Sequence, residues 1–196
     1  GVIFRVGLVI LLIIGFTYPV LSLLTKTNNF RSFYGWTLDG AAHLDYESPG
    51  DAEAIRWLQT APFGVVAEAG SPGASYTYYS RMSTHSGLPT VLGWRVHEWL
   101  WRGGFEIPGR RTNEVKTMFE QPLSAEAQNL FAQYQVKYIF IGSQEREVYK
   151  LPLDQLLALG EVIYNSNGNF IIKLFYFLSM KFIICMNFII IQKKSI

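Results

Sequence analysis

Residues 6–25, VGLVILLIIGFTYPVLSLLT, form an uncharged run of twenty residues that is rich in Leu, Ile and Val. At about 1.5 Å per helical residue, the run spans about 30 Å, the thickness of the hydrocarbon core of a bilayer. A helix satisfies its own backbone hydrogen bonds in lipid, so this stretch predicts a transmembrane helix within residues 1–25. Arg5 precedes it and Lys26 and Arg31 follow, so the flanking charges do not determine its orientation.

Two other interpretations of the apolar run fit the sequence less well. A signal peptide has a shorter apolar core and a small-x-small cleavage site, and residues 18–27 contain no such site. A buried helix of a soluble protein would need a large partner surface, which the remaining residues are too few to supply. The spanning helix is therefore the preferred prediction.

The charge distribution argues against a nucleic-acid-binding protein. The net charge is +2, yet residues 26–170 carry fifteen acids and twelve Lys or Arg, which leaves −3. A nucleic-acid partner would require Lys and Arg clustered on the folded part, so none is expected. The single cysteine, Cys185, lies in the C-terminal tail, so the folded part has no disulfide.

The tail has a different composition from the rest of the chain. From Phe170 onward the 27 residues include eight Ile, five Phe and four Lys but no Ala, Gly, Pro, Arg, Asp or Glu. Residues 175–196 are therefore interpreted as a hydrophobic tail of one of two kinds. It is either an artefact, such as translation past a frameshift, or a second membrane helix weakened by Lys181.

The middle of the chain predicts a connector over 26–48 and an α/β domain over 49–174. The pattern predicts helices at 51–60, 113–120, 153–159 and after Ser124, where the serine serves as N-cap. Strands are expected at 64–69 and 136–141, and a C-terminal β-hairpin turns at Asn165-Ser-Asn-Gly168. Helices that alternate with short strands indicate one small α/β domain after the transmembrane helix.

The long stretch over 76–102 has no regular period and is dense in Gly, Pro, aromatic, hydroxyl, His and Arg residues. Loops of this length in a small domain are usually functional or disordered, and the aromatic content argues against disorder. Its histidines allow a metal site built from His85, His97 and Glu98, or hydrogen-bonded structural residues. Its arginines can bind phosphate or pair with acids, and its tryptophans can stack on a sugar or pack on the domain.

Two blocks of this stretch carry a resemblance to a known family. Ser80–Trp94 (SRMSTHSGLPTVLGW) and His97–Arg102 (HEWLWR) resemble the C-terminal region of the YYY family of archaeal and chloroflexi-type membrane proteins. Supporting blocks at 38–40, 51–58 and 138–142 fall in the same order, and the resemblance covers residues 2–174 without the tail. Such proteins are polytopic and similar to lipid-linked-sugar glycosyltransferases of the GT-C type.

The resemblance implies a role for this region in binding rather than in catalysis. The catalytic acids of such enzymes lie between early membrane helices, so the chain is expected to be a C-terminal fragment without catalytic residues and inactive alone. A divalent metal is a possible cofactor of the parent enzyme, with no ligand assigned here. The partners implied are the lipid bilayer and a polyprenyl-phosphate-linked sugar, and the soluble domain is expected to be extracytoplasmic in a multi-pass membrane protein. The predicted substrate-binding residues are Arg81, Ser83, Trp94, His97, Glu98, Trp101 and Arg102.

Two other functions remain open on the sequence. The first is a non-catalytic, membrane-anchored structural or interaction domain, in which the same motif ties a long loop to the core. The second is a metal-dependent hydrolase that uses His85, His97 and Glu98.

Overall fold

The computed structural model describes residues 1–73 and 75–175. Residues 176–196, which hold nearly all of the predicted hydrophobic tail, lie outside this range. The chain divides into two compact units, Gly1–Glu47 and the residues from Ser48 onward.

The first unit begins with the long apolar helix predicted from residues 6–25. Helix α1 runs over Val2–Lys26, includes Pro19 and has no buried residue. Among the described residues, it is the one helix long and apolar enough to cross a membrane. A short helix, α2 (Leu44–Glu47), ends the unit.

The second unit is a mixed four-stranded sheet with helices, which confirms the predicted α/β class. Its helices are α3 (Pro49–Thr60), α4 (Arg81–Ser86), α5 (Arg95–Arg102), α6 (Glu106–Glu120), α7 (Ala125–Gln133), α8 (Ser143–Val148) and α9 (Leu153–Leu157). Its strands are β1 (Val65–Ala67), β2 (Val136–Ile141), β3 (Gly160–Ser166) and β4 (Asn169–Leu174). The order in the sheet is β1-β2-β4-β3, with β1 parallel to β2 and the other pairs antiparallel.

The core forms where apolar side chains of β2 and β4 meet those of α6 and α7. Ile139, Ile141 and Ile172 are almost inaccessible to solvent and belong to the same cluster as Met118 and Phe131. Burial of each such side chain is worth roughly 1.5–3 kcal/mol, so this cluster positions the sheet and the helices around it. The ring of Phe119 stacks on Tyr149 at 4.8 Å, which joins α6 to the segment after α8.

Most predicted elements are confirmed. The helix that ends at Thr60, the strand Val136–Ile141 and the hairpin around 165–168 are present. The Oγ of Ser124 accepts a hydrogen bond from the backbone N–H of Ala127 at 3.1 Å, as expected of an N-cap.

The prediction of an irregular stretch over 76–102 was wrong, because α4 and α5 lie within it. Helix α5 is only eight residues long and buries none of its residues, so its periodicity is a weak signal in the sequence. Helix α6 begins at Glu106, seven residues before the predicted start at 113. Pro108 and Gly109 obscured that start, although proline is tolerated in a first turn because its missing N–H has no helical partner there.

Candidate functional site

The carboxyl ends of the two parallel strands meet at one edge of the sheet, where ligands bind in many α/β proteins. Glu68 directly follows β1, and Gly142 directly follows β2. This edge contains a cluster of buried charged groups. Of the predicted site residues, Arg81 belongs to the cluster, and Ser83 hydrogen-bonds to Glu68 beside it.

Arg81 lies at the centre of the cluster and is 1% exposed. Its Nε donates to Oδ2 of Asp51, and its Nη1 and Nη2 donate to Oε1 and Oε2 of Glu145 at 3.3 and 3.1 Å. Burial by itself lowers the pKa of Arg81, but the charges of Glu145 and Asp51 outweigh it and the net shift is upward. The guanidinium therefore stays charged and holds two buried carboxylates.

The carboxylates of Glu145 and Asp51 both accept further hydrogen bonds. Glu145 also accepts from the backbone N–H groups of Ala69 and Gly142, both at 2.8 Å. Asp51 accepts from Nδ2 of Asn169 and from the hydroxyl of Tyr78, also at 2.8 Å each. Buried charges are tolerated only when paired and hydrogen-bonded in this way, so the cluster is a well-satisfied structural element.

The guanidinium of Arg81 also contacts two aromatic rings. It lies 5.3 Å from the ring centroid of Tyr78 and 5.0 Å from that of Phe140. Burial raises the pKa of Tyr78 to about 12, so its hydroxyl remains a hydrogen-bond donor to Asp51 at neutral pH. Cation–π contacts add to the ion pairs that hold Arg81.

Glu68 is a second buried carboxyl group at the same edge. It is 1% exposed and accepts from the backbone N–H groups of Met82 and Ser83, both at 2.8 Å. Burial raises its pKa to about 7, against the opposing effect of the hydrogen bonds from Ser83 and Met82 and of the charge on Arg81. Ser83 thus orders the junction between β1 and α4, and its Oγ donates to the carbonyl of Ser80 at 3.1 Å.

The other five predicted site residues lie on α5 or at its N-terminus. Trp94 is the N-cap residue, and its indole Nε1 donates to the carbonyls of Thr77 and Tyr79 at 3.1 and 2.9 Å. These bonds attach the start of α5 to the segment before α4.

Glu98 forms an ion pair with Arg102 one helical turn away. One oxygen of Glu98 accepts from the backbone N–H of Gly93 at 2.8 Å, and the other accepts from Nε of Arg102 at 2.9 Å. Arg111 lies 3.8 Å from the same carboxylate. The side chain of Arg102 is still 41% exposed, so it is accessible to an anionic group in solution.

Trp94, His97 and Trp101 form a continuous surface with Tyr76, which we call the aromatic face. The ring centroid of His97 lies 5.3 Å from that of Tyr76 and 5.9 Å from that of Trp101, and Tyr76 lies 5.1 Å from Trp94. The hydroxyl of Tyr76 is 3.0 Å from Nδ1 of His97. Tyr76 and Trp101 are 74% and 79% exposed, so this face is open to a ligand.

Sequence reasoning missed Tyr76 as a member of this face. Positions 94, 97 and 101 follow helical spacing, which would have indicated a shared face had α5 been predicted. Nothing in the sequence distinguishes Tyr76 from Tyr78 and Tyr79. Its backbone has a φ of 56°, and this left-handed conformation belongs to the tertiary path of the loop.

Neither a metal site nor the cavity found in the domain draws on the predicted residues. Within residues 1–73 and 75–175, no three His, Cys, Asp or Glu side chains gather as a metal-binding group, so His85, His97 and Glu98 are not assembled into one. The cavity of about 450 Å³ lies beside α7 and the ends of the strands, with Phe63, Phe131, Lys137 and Leu174 among its lining residues. None of the seven predicted site residues lines it.

Comparisons with protein-family models and with curated proteins find no match to this chain.

Proposed function

We propose that this chain is the membrane-anchored binding region of a lipid-linked-sugar glycosyltransferase and that it contributes no catalytic residue. In this proposal α1 spans the bilayer of a multi-pass protein, and the domain from Ser48 onward lies on the extracytoplasmic side. The length and apolar character of α1 support the membrane location, and the resemblance described above supports the reaction class.

The aromatic face is the observation that supports a sugar as the proposed ligand. Exposed aromatic rings with a nearby hydrogen-bonding group are suited to the apolar face of a sugar ring. Trp101 and Tyr76 supply the exposed rings, and His97 supplies a polar atom between them. The accessible guanidinium of Arg102 suits a phosphate, which it can bind through two parallel N–H groups.

Arg81 and Ser83 have a supporting role in this proposal. Arg81 is buried and occupied by Asp51 and Glu145, and the backbone N–H of Ser83 is occupied by Glu68. We assign ligand contact to Trp101, His97 and Arg102, and structural support to Trp94, Glu98, Arg81 and Ser83.

The test is to measure binding of a short-chain polyprenyl phosphate that carries one hexose to the full chain in detergent. We expect Trp101→Ala to weaken binding about tenfold, which corresponds to about 1.4 kcal/mol. Trp36→Ala is the matched control, because Trp36 is 86% exposed and belongs to the first unit. Equal affinity of Trp101→Ala, Trp36→Ala and the unaltered chain would overturn the proposed site.

A second function, that of a non-catalytic structural or interaction domain, is favoured by one observation. One buried residue of the resembling motif, Arg81, joins structural elements and is only 1% exposed. In that case His97→Ala and Arg102→Ala would lower the melting temperature by several degrees, and no specific loss of ligand binding would accompany the change. Thermal unfolding and binding measured on the same variants separate the two functions.

A further inference from the structure

The end of α5 and the start of α6 carry a group of exposed apolar side chains, which we call the apolar tip. Its members are Trp99, Leu100, Trp101, Phe105 and Ile107, which are 44%, 69%, 79%, 46% and 37% exposed. The rings of Trp99 and Phe105 are in edge-to-face contact at 6.0 Å, so the tip is continuous across the Gly103-Gly104 turn. An exposed apolar patch of this kind marks an interaction surface.

The apolar tip lies in a basic part of the domain. Residues 94–111 contain four Arg and two Glu and carry +2, whereas residues 48–175 as a whole carry −1. Arg102 and Arg110 are 41% and 60% exposed, and Arg95 lies 5.4 Å from the ring centroid of Phe105. Apolar and aromatic side chains surrounded by arginines are typical of surfaces that bind anionic lipid.

The covalent attachment of this domain to α1 identifies the partner. A helix long and apolar enough to span a bilayer precedes the domain by 21 residues, 27–47, which reach at most about 76 Å. A tether of that length keeps the domain at a high effective concentration near lipid and favours a weak second contact. Trp is enriched where protein meets the headgroup region, and basic side chains are attracted to anionic headgroups.

We propose that the apolar tip docks the domain onto the surface of a bilayer that contains anionic lipid. Trp99, Leu100 and Phe105 enter the boundary between headgroups and acyl chains, and the surrounding arginines contact anionic headgroups. Trp101 and Arg102 are shared with the sugar site proposed above. The inference does not rest on that ligand, because Trp99, Leu100 and Phe105 are not part of the aromatic face.

The experiment places a fluorescent label on the tip of the full chain in proteoliposomes. Cys185→Ala removes the only native cysteine, and Leu100→Cys then receives a polarity-sensitive NBD label. Glu126→Cys, an exposed position on α7, is the matched control. The vesicles contain phosphatidylcholine alone or with phosphatidylglycerol, and nitroxide-bearing lipids quench any label that enters the bilayer.

We expect the label at position 100 to shift to shorter wavelength and to be quenched about twofold or more above the control in vesicles with phosphatidylglycerol. Arg110→Glu or high salt should reduce that quenching, because both weaken attraction to anionic headgroups. Equal quenching at positions 100 and 126 would overturn the proposal. The proposal would also be overturned by a wavelength shift that grows with protein concentration and is not accompanied by lipid quenching. The tip would then be covered by a second copy of the chain.

Discussion

Glu68 illustrates how a single buried side chain can make the stability of this domain depend on pH. Its carboxyl group is 1% exposed and sits between the end of β1 and the first turn of α4. Burial raises its pKa from the ordinary value of 4.5 to about 7. The folded protein therefore holds a proton on Glu68 over a range in which the unfolded chain releases it.

This linkage predicts that Glu68 stabilises the fold at low pH and loses that contribution as the pH rises. Below about 4.5 the group is protonated in both states, so its contribution is fully present; between 4.5 and about 7 it declines. The free energy of unfolding falls by up to about 3 kcal/mol over this range. Urea unfolding of the full chain in detergent between pH 4 and 8 measures it.

The matched variants for this prediction are Glu68→Gln and Glu126→Gln. Glu68→Gln cannot ionise, so the difference in free energy of unfolding between it and the unaltered chain should change with pH across this window. Glu126 is exposed on α7, and Glu126→Gln should follow the unaltered chain at each pH. A pH-independent difference for Glu68→Gln would contradict the assignment.

At the scale of elements, one guanidinium joins three helices that are distant in sequence. Asp51 belongs to α3, Arg81 to α4 and Glu145 to α8, and Asn169 of β4 bonds to the same Asp51. The attraction among these charges offsets the cost of removing them from water only while the network is complete. The junction of α3, α4 and α8 therefore depends on Arg81.

Arg81→Met should lower the free energy of unfolding by about 3–5 kcal/mol, because it leaves two buried carboxylates without a cation. Arg110→Met is the control, since Arg110 is 60% exposed and its pairing with Glu114 at 3.6 Å should contribute little. The control should stay within about 0.5 kcal/mol of the unaltered chain. Urea unfolding of the two variants and the unaltered chain measures these differences. A loss of less than about 1 kcal/mol in the free energy of unfolding of Arg81→Met would show that the network is dispensable.

At the scale of the whole molecule, the two units differ in how their apolar residues are buried. No residue of α1 is buried, whereas the second unit has its own apolar core around β2 and β4. An apolar helix without a protein partner is stable in lipid and unfavourable in water. The domain should therefore keep its fold without α1 but lose its membrane anchorage.

In a chain that ends at Leu174, and so omits the hydrophobic tail, removal of residues 1–26 should move the protein from the membrane pellet to the supernatant after alkaline carbonate extraction. Its domain should unfold at the same temperature as in the full chain, because α1 contributes no buried residue to the core. The full chain with Leu12→Ala, which keeps an apolar residue in α1, is the control and should stay in the pellet. If the shortened chain remained in the pellet, the anchor would lie outside α1.

The elements predicted correctly are those whose signals are local. The N-cap at Ser124, the helix end at Thr60 and the Asn-Gly hairpin turn each depend on backbone chemistry within a few residues. Helices α5 and α8 were missed because they are only eight and six residues long, and the one buried residue of α8, Glu145, is a charged one. Periodicity is a clear signal over about 11–18 residues, and neither helix is that long.

The sequence alone determined the long apolar helix, the α/β class of the domain, the C-terminal hairpin and the stretch in which the candidate residues lie. Those features follow from composition, from local turn and capping chemistry and from alternation along the chain. Only the tertiary structure decided which candidate residues face solvent. Arg81 has acidic partners 30 residues before it and 64 residues after it in the chain, and Tyr76 meets His97 across 21 residues. Such contacts depend on how the core brings distant segments together, so no local pattern can specify them.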